Sequence, residues 1–218
     1  VSRFVFFGFS HSNIIAKPWL DAGIQAVIAD ERHPAGVSID GLLTRIGIDL
    51  MESEPVLKVI EDLKLGRCLL SGFFPPCTHL AASGARWWKT KGLRALQQSV
   101  SCFATSKEVA EALSAPFFIE NPVGAMSSHW RKPDFTFDPC DYTWHCPSDN
   151  YTKKTCLWVG NGFVMPPRKV ADGLGPPDSR IHFAPESKGR ASLRSLTPLG
   201  FAKAVFESNF EETKGEPQ

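Results

Sequence analysis

No apolar run in the 218 residues approaches the ~20 that a membrane-spanning helix needs. The opening stretch, Val1-Ser2-Arg3-Phe4-Val5-Phe6-Phe7, is apolar but short. It has no charged leader and no small-residue cleavage site, so a first strand is expected there rather than a signal peptide. The six cysteines are scattered. That is not the dense pattern of a small disulfide-stapled secreted scaffold, and a reducing cytoplasm is the expected setting. The net charge is only +1, so the chain as a whole is no polycation that would hold nucleic acid by charge alone. No internal repeat is present. What remains is the composition of one ordinary globular domain, long enough to bury its own core.

The near-zero charge hides an asymmetry. From Tyr151 to Lys203 the bases are Lys153, Lys154, Arg168, Lys169, Arg180, Lys188, Arg190, Arg194 and Lys203. Only Asp172, Asp178 and Glu186 oppose them. A basic C-terminal third on a neutral body suits a phosphate-facing surface. A solvated charged face would read the same way.

The first 120 residues alternate strand-like and helix-like stretches. Arg3 to Phe9 is a continuous apolar run, suited to a strand buried on both faces. His11 to Ala22 carries a helical stripe, with Pro18 allowed only near a first turn and Gly23 as a stop. Ile24 to Ala29 predicts a second strand and Arg45 to Leu50 a weaker third. A short helix over Pro55 to Leu65 is opened by its proline. Arg67 to Phe73 predicts the fourth strand. Leu93, Leu96, Val100 and Phe103 line one side of a long helix over Lys89 to Leu113. Ala115 to Ile119 predicts the fifth strand. Such alternation implies an α/β fold with a mainly parallel, doubly wound sheet. Beyond Asn121, prolines, glycines and polar residues predict long loops to about Arg190. Helical spacing returns over Thr197 to Asn209, and the polar Glu211 to Gln218 is expected to fray. The organisation expected is an α/β core over 1–125, a loop-rich basic segment over 126–194, and a C-terminal helix over 195–210 that packs back on the core.

In such sheets ligands bind outside the carboxyl ends of the strands. Phe7-Gly8-Phe9-Ser10 ends the first strand and could bring backbone N–H groups to a ligand. Asp30-Glu31 ends the second, where an acid can take ribose hydroxyls. Gly-x-Ser is not Gly-x-Gly, and acids at that place are common. The fourth strand runs into Phe74-Pro75-Pro76-Cys77. Two prolines fix the backbone and present a cysteine beyond the strand, as a nucleophile requires; a buried structural cysteine is the alternative. The fifth strand ends in Glu120-Asn121-Pro122, which suits a proton-carrying acid or an ordinary strand-end carboxylate.

Together these residues resemble the cytosine-C5 DNA methyltransferase family, which pairs a Pro-Pro-Cys loop with a Glu-Asn turn one strand later. Here the matches are Pro75-Pro76-Cys77 and Glu120-Asn121. The runs Pro75 to Leu80, Glu120 to Gly124 and Tyr151 to Trp158 are most similar to short phage-borne members, which would act in a bacterial host cell. The resemblance covers most of residues 4–125 and, loosely, 195–209. It implies a class I S-adenosylmethionine-dependent methyltransferase-like fold. It implies Cys77 as nucleophile at carbon 6 of cytosine, with Pro76 shaping its loop, Glu120 at N3 and Asn121 beside it. Phe7, Gly8, Phe9 and Ser10 look like the cofactor loop for S-adenosyl-L-methionine, Asp30 or Glu31 the ribose acid, and Asp49 the adenine contact. DNA is the implied partner, with no membrane and no protein partner. Family members carry an Arg-x-Arg pair that grips the flipped base; none precedes the basic tail, and Lys153-Lys154 stand in its place. The segment from Trp158 to Arg194 is too short for the usual recognition domain. The same chemistry on a free cytidine nucleotide or RNA, or a catalytically silent binding protein, therefore stays open.

Three further features have bland alternatives. Arg86 could contact a phosphate or be a plain surface arginine. Cys140, His145, Cys146 and Cys156 are zinc-type residues, but their spacing is not that of a strong site, and no metal is expected. Trp87-Trp88, Trp130 and Trp144 could stack on bases or anchor loops.

Overall fold

The N-terminal apolar run becomes the centre of the sheet. In the computed structural model, which describes residues 2–183 and 196–210, β1 is Arg3–Gly8. Its side chains alternate between two cores. Phe4 and Phe6 enter one buried cluster with Val56, Ile60, Phe103 and Val109. Val5 and Phe7 enter the other, with Ile15, Trp19, Phe201 and Val205. A strand buried on both faces must be apolar throughout.

The remaining elements in order are α1 (Lys17–Asp21), β2 (Gln25–Ala29), β3 (Gly36–Asp40), β4 (Leu43–Gly47), α2 (Ser53–Asp62), β5 (Arg67–Phe73), α3 (Trp88–Leu113), β6 (Phe117–Pro122), α4 (Met126–His129), β7 (Phe135–Phe137), β8 (Thr155–Gly160), α5 (Arg180–Phe183) and α6 (Leu199–Asn209). The sheet order is β3-β4-β2-β1-β5-β6-β8-β7. Helices cover both faces: α2 and α3 line the first cluster, α1 and α6 the second.

The centre is parallel: β1 pairs with β2 and β5, β2 with β4, and β5 with β6. The margins are not. β3 runs antiparallel to β4, β8 to β6, and β7 to β8. The expected mainly parallel sheet is thus a mixed one with a parallel core. The loop-rich reading beyond Asn121 missed β7 and β8, which continue the same sheet past residue 125. In the first 120 residues the strand and helix pattern also left out β3, the outer arm of a hairpin closed by Gly41-Leu42.

Other boundaries moved for local reasons. The first helix begins only at Lys17, because Pro18 must lie in the first turn. The third predicted strand shifts to Leu43–Gly47, in register with β3. In α3 the apolar stripe does not all bury: Leu93 is 84% exposed and Val100 43%. The buried line runs instead through Ser99, Cys102, Phe103, Ser106, Val109 and Ala110. Ser106 can lie there because its hydroxyl donates to the Cys102 carbonyl at 2.8 Å. Gly92, at φ +79°, breaks the helix near its start.

α6 closes the second core. Phe201 stacks on Phe137 with centroids 4.0 Å apart and planes 14° from parallel, and meets Tyr142 at 5.5 Å. Trp19 meets Phe206 edge-on at 5.1 Å. Phe201→Ala is expected to cost about 3–5 kcal/mol. At ~2–4 °C per kcal/mol for a chain this size, the thermal midpoint falls by roughly 6–20 °C, which calorimetry would measure.

Candidate active site

The chain crosses from β4 back to β5, so the sheet's direction of growth reverses between β1 and β5. In open α/β sheets the crevice outside the carboxyl ends of the strands at such a reversal is where ligands bind. Phe7-Gly8-Phe9-Ser10 and Phe74-Pro75-Pro76-Cys77 leave the sheet on either side of it.

On the β1 side, Phe7 is fully buried, so only its backbone can serve the loop. Phe9 holds φ at +56°, an uncommon conformation for a bulky side chain, which the surrounding contacts must enforce. The Ser10 N–H donates to the Ala29 carbonyl at 3.0 Å, tying the loop to the end of β2. Asp30 is 4% exposed. Arg32 grips it bidentately, with Nε and Nη2 each 2.7 Å from a carboxylate oxygen. Burial alone would raise the Asp30 carboxyl, but hydrogen bonds and charge from Arg32 outweigh it and hold the carboxyl below its ordinary value. Glu31 is exposed beside this pair. Asp49 is exposed, and its Oδ1 accepts the Met51 N–H at 2.9 Å. Sequence reasoning named Asp30 but not Arg32, whose pairing only coordinates reveal.

On the β5 side, the two sequence motifs are joined directly. Asn121, 1% exposed, donates from Nδ2 to the Pro75 carbonyl at 2.8 Å. The loop then turns tightly, with the Leu80 and Ala81 N–H groups both donating to the Cys77 carbonyl at 3.0 and 2.9 Å. The Ala82 N–H donates to Val123 at 2.9 Å, and the Ala125 N–H to Leu80 at 2.8 Å. At Gly124 the backbones touch: a Cβ there would lie 2.0 Å from the Leu80 oxygen. Within the loop Pro75 is buried, while Pro76 and Cys77 are exposed.

Glu120 points to the opposite face of β6 from Asn121, as neighbouring strand residues must. It lines a pocket with Phe74, Phe137, Lys153, Thr155 and Phe201, beneath Thr197 and Pro198. Burial pushes the Glu120 carboxyl up, with Lys153 opposing it. The free space is only about 10 Å³, the room of one water. Cys77 is not among the lining residues. Lys153 is anchored twice: its N–H donates to Asp138 Oδ1 at 2.7 Å and its Nζ to the Leu196 carbonyl at 3.2 Å. Lys154 is exposed. The aromatic and threonine lining carried no signal in the sequence, because its members come from the end of β5, from β7 and β8, and from α6 and its approach.

A second cavity, of about 320 Å³, opens behind the Cys77 loop where α3 breaks. His79, Lys89, Lys91 and Leu93 line it. Arg86 is exposed, its guanidinium 5.2 Å from the centroid of the Trp87 ring. The zinc-type residues do not converge: Cys146 lies 3.1 Å from Ser148 Oγ, His145 Nδ1 lies 3.3 Å from Glu207, and Cys156 is buried in β8. Among the described residues no group of three or more such side chains could hold a metal. Arg190, Arg194 and Ser195 lie outside the described residues.

No family model matches the chain, and no curated protein matches it. Among solved structures, a Serratia marcescens short-chain dehydrogenase/reductase mutant matches at 14% identity with a TM-score of 0.40. The match covers 51% of this chain and 49% of that one, so the likeness spans about half of either length. At that identity and score it speaks to neither activity nor cofactor.

Two outcomes follow from this geometry. Gly124→Ala drives a methyl group into the Leu80 carbonyl and should push the Cys77 loop off β6; hydrogen exchange at Leu80 to Ala82 and Ala125 would rise well above wild type. Glu120→Gln should raise the thermal midpoint at pH 7, because the wild-type carboxylate ionises in a site that disfavours charge. The Glu120 pKa is higher folded than unfolded, so wild-type stability is fully present below the unfolded value and declines as pH rises through the folded one. The gain from glutamine should therefore shrink on acidification and vanish below the ordinary carboxylate range, as paired melting curves would show.

Proposed function

We propose that this chain transfers a methyl group from S-adenosylmethionine to carbon 5 of cytosine in DNA. The observation that carries this reading is the Asn121–Pro75 hydrogen bond. It joins the Pro-Pro-Cys loop and the Glu-Asn turn, two segments 46 residues apart, at the carboxyl ends of adjacent parallel strands. The β1 loop is fastened to the same edge: the Phe74 N–H donates to the Gly8 carbonyl at 3.1 Å. The sheet also departs from the all-parallel 3-2-1-4-5-6 order of dinucleotide-binding domains, since the strand beyond β6 is antiparallel.

The donors around the reversal fit a nucleoside cofactor by their chemistry. Asp30, Glu31 and Asp49 gather carboxylates at the ends of β2 and β4. A ribose diol offers two hydroxyl donors and seeks such acceptors. Because Arg32 already occupies both Asp30 oxygens, Glu31 is the acid we assign to the diol, with Asp30 holding the loop. S-adenosylmethionine, when bound, supplies the electrophilic methyl group.

The remaining chemistry belongs to the chain. Carbon 5 of cytosine is a poor nucleophile until a nucleophile adds at carbon 6. The Cys77 thiolate makes that bond. Glu120, held protonated more readily than an exposed carboxyl, donates to N3 and favours the addition. After methylation a base removes the carbon-5 proton, and the Cys77–carbon bond breaks to restore the ring. The pocket must widen before a cytosine can reach Glu120, and Phe74 at the root of the Cys77 loop is the wall that can move with that loop.

Cys77→Ser should abolish methyl transfer to cytosine-containing DNA without lowering the thermal midpoint. Wild type should form a covalent adduct with a 5-fluorocytosine substrate, because fluorine blocks the final elimination. Transfer at the wild-type rate by the serine variant would overturn the nucleophile assignment. Glu120→Gln should lower turnover by about 10²-fold while sparing cofactor affinity. Glu31→Gln should weaken S-adenosylmethionine binding roughly tenfold by calorimetry.

A further inference from the structure

Resting on the reading that the loop after β1 holds S-adenosylmethionine, we infer that His33 is a positioning residue for that loop: its neutral imidazole clamps the Ser10 carbonyl, and acid loosens the clamp, so cofactor affinity falls as pH drops below neutrality. The loop needs holding. Phe9 sits at φ +56°, a conformation that a bulky side chain adopts only under constraint. Ser10, the next residue, is 6% exposed and is gripped at both ends of its backbone. Its N–H donates to the Ala29 carbonyl at 3.0 Å, and its carbonyl lies 3.2 Å from His33 Nε2. A carbonyl only accepts, so Nε2 carries the proton of a neutral ring.

His33 reaches Ser10 from a braced base, 23 residues away in the chain. Its N–H donates to the Asp30 carbonyl at 3.2 Å, and the Asp30 N–H to the Ile46 carbonyl at 3.1 Å. The backbone that follows is pressed on β4: a Cβ at Gly47 would lie 2.7 Å from the His33 oxygen and 2.0 Å from the Pro34 oxygen. With its backbone fixed to the sheet, the buried ring acts on the loop rather than following it.

Charge on that ring is disfavoured. Burial pushes His33 below its ordinary value; the Ser10 carbonyl and Asp30 offset part of this, while His11 and Arg45 add to it. These are the groups that face it: His11 from the β1 loop, with ring centroids 5.0 Å apart, Asp30 from its own turn, and Arg45 from β4. Asp30 is already gripped by Arg32. In an opened loop the ring returns to its ordinary value of 6.5. The docked value is the lower one, so docking is complete above about pH 6.5 and weakens as pH falls through it. One unit lower, at about pH 5.5, the open loop gains by as much as about tenfold.

Amide exchange at Ser10 reads loop docking without cofactor, and calorimetry with S-adenosylmethionine reads binding. Both are followed from about pH 8 to about pH 5.5, with exchange corrected for its intrinsic pH dependence. Wild-type protection at Ser10 should fall by about three- to tenfold over that range, with affinity falling alongside. His33→Leu, which keeps bulk without a donor, should lower protection and affinity about tenfold at pH 8 and flatten both profiles. His33→Gln, whose amide N–H can stand in for Nε2, should restore the pH 8 values and keep the profiles flat. His11→Gln should keep the acid decline. A flat wild-type profile, full Ser10 protection in the leucine variant, or a decline that disappears with His11→Gln would overturn the inference. The two readings fail separately. Ser10 protection that follows His33, with no S-adenosylmethionine binding at any pH, keeps the clamp and sinks the cofactor reading. Wild-type binding that His33→Leu leaves untouched sinks the clamp and keeps methyl transfer.

Discussion

The buried Asn121 amide donates to the Pro75 carbonyl at 2.8 Å, and the arrangement of the loops at the sheet's carboxyl edge depends on that bond. Proline has no N–H to offer, and Pro75 is buried, so its carbonyl needs a donor from elsewhere. The amide supplies it from the neighbouring strand and sets where the Cys77 loop begins. The contacts at Leu80, Ala82 and Ala125 then extend the docking along the loop. Two prolines stiffen the loop, and these bonds together set its direction.

The same strand turn does two jobs because strand side chains alternate. Asn121 faces the loop and Glu120 the opposite side, under α6. A half-buried carboxyl beside Phe74, Phe137 and Phe201 costs free energy when it is charged. Stability alone would place an apolar or amide side chain there. Asp30 lies at the other extreme: more deeply buried, it keeps its charge because Arg32 meets it with matched geometry. Two carboxyls on one sheet edge are thus driven in opposite directions, one by desolvation and one by its partner.

Legibility followed range. β5 is Arg67–Phe73 as its apolar pattern predicts, and β1 and β2 lie within a residue or two of their expected ends, because each is decided by its own side chains. α3 was legible in extent but not in facing, since Leu93 and Val100 are exposed while Ser99 and Ser106 are buried. β3, β7 and β8 were lost among glycines, prolines and polar residues. Their strand character comes from partners: β8 pairs with β6 from Thr155 opposite Pro122 to Gly160 opposite Phe117, and β7 exists only by pairing with β8.

The sequence by itself determined the alternating α/β order, the two-faced burial of β1, and which residue types stand at the strand ends. Those properties are local, set by side-chain period and by the fixed backbone of proline. Tertiary structure decided the mixed sheet, the pairing of Arg32 with Asp30, the Asn121–Pro75 bond and the aromatic walls around Glu120. Each of those joins groups whose positions are set by chain reversal and sheet register, so no single stretch of sequence carries the information.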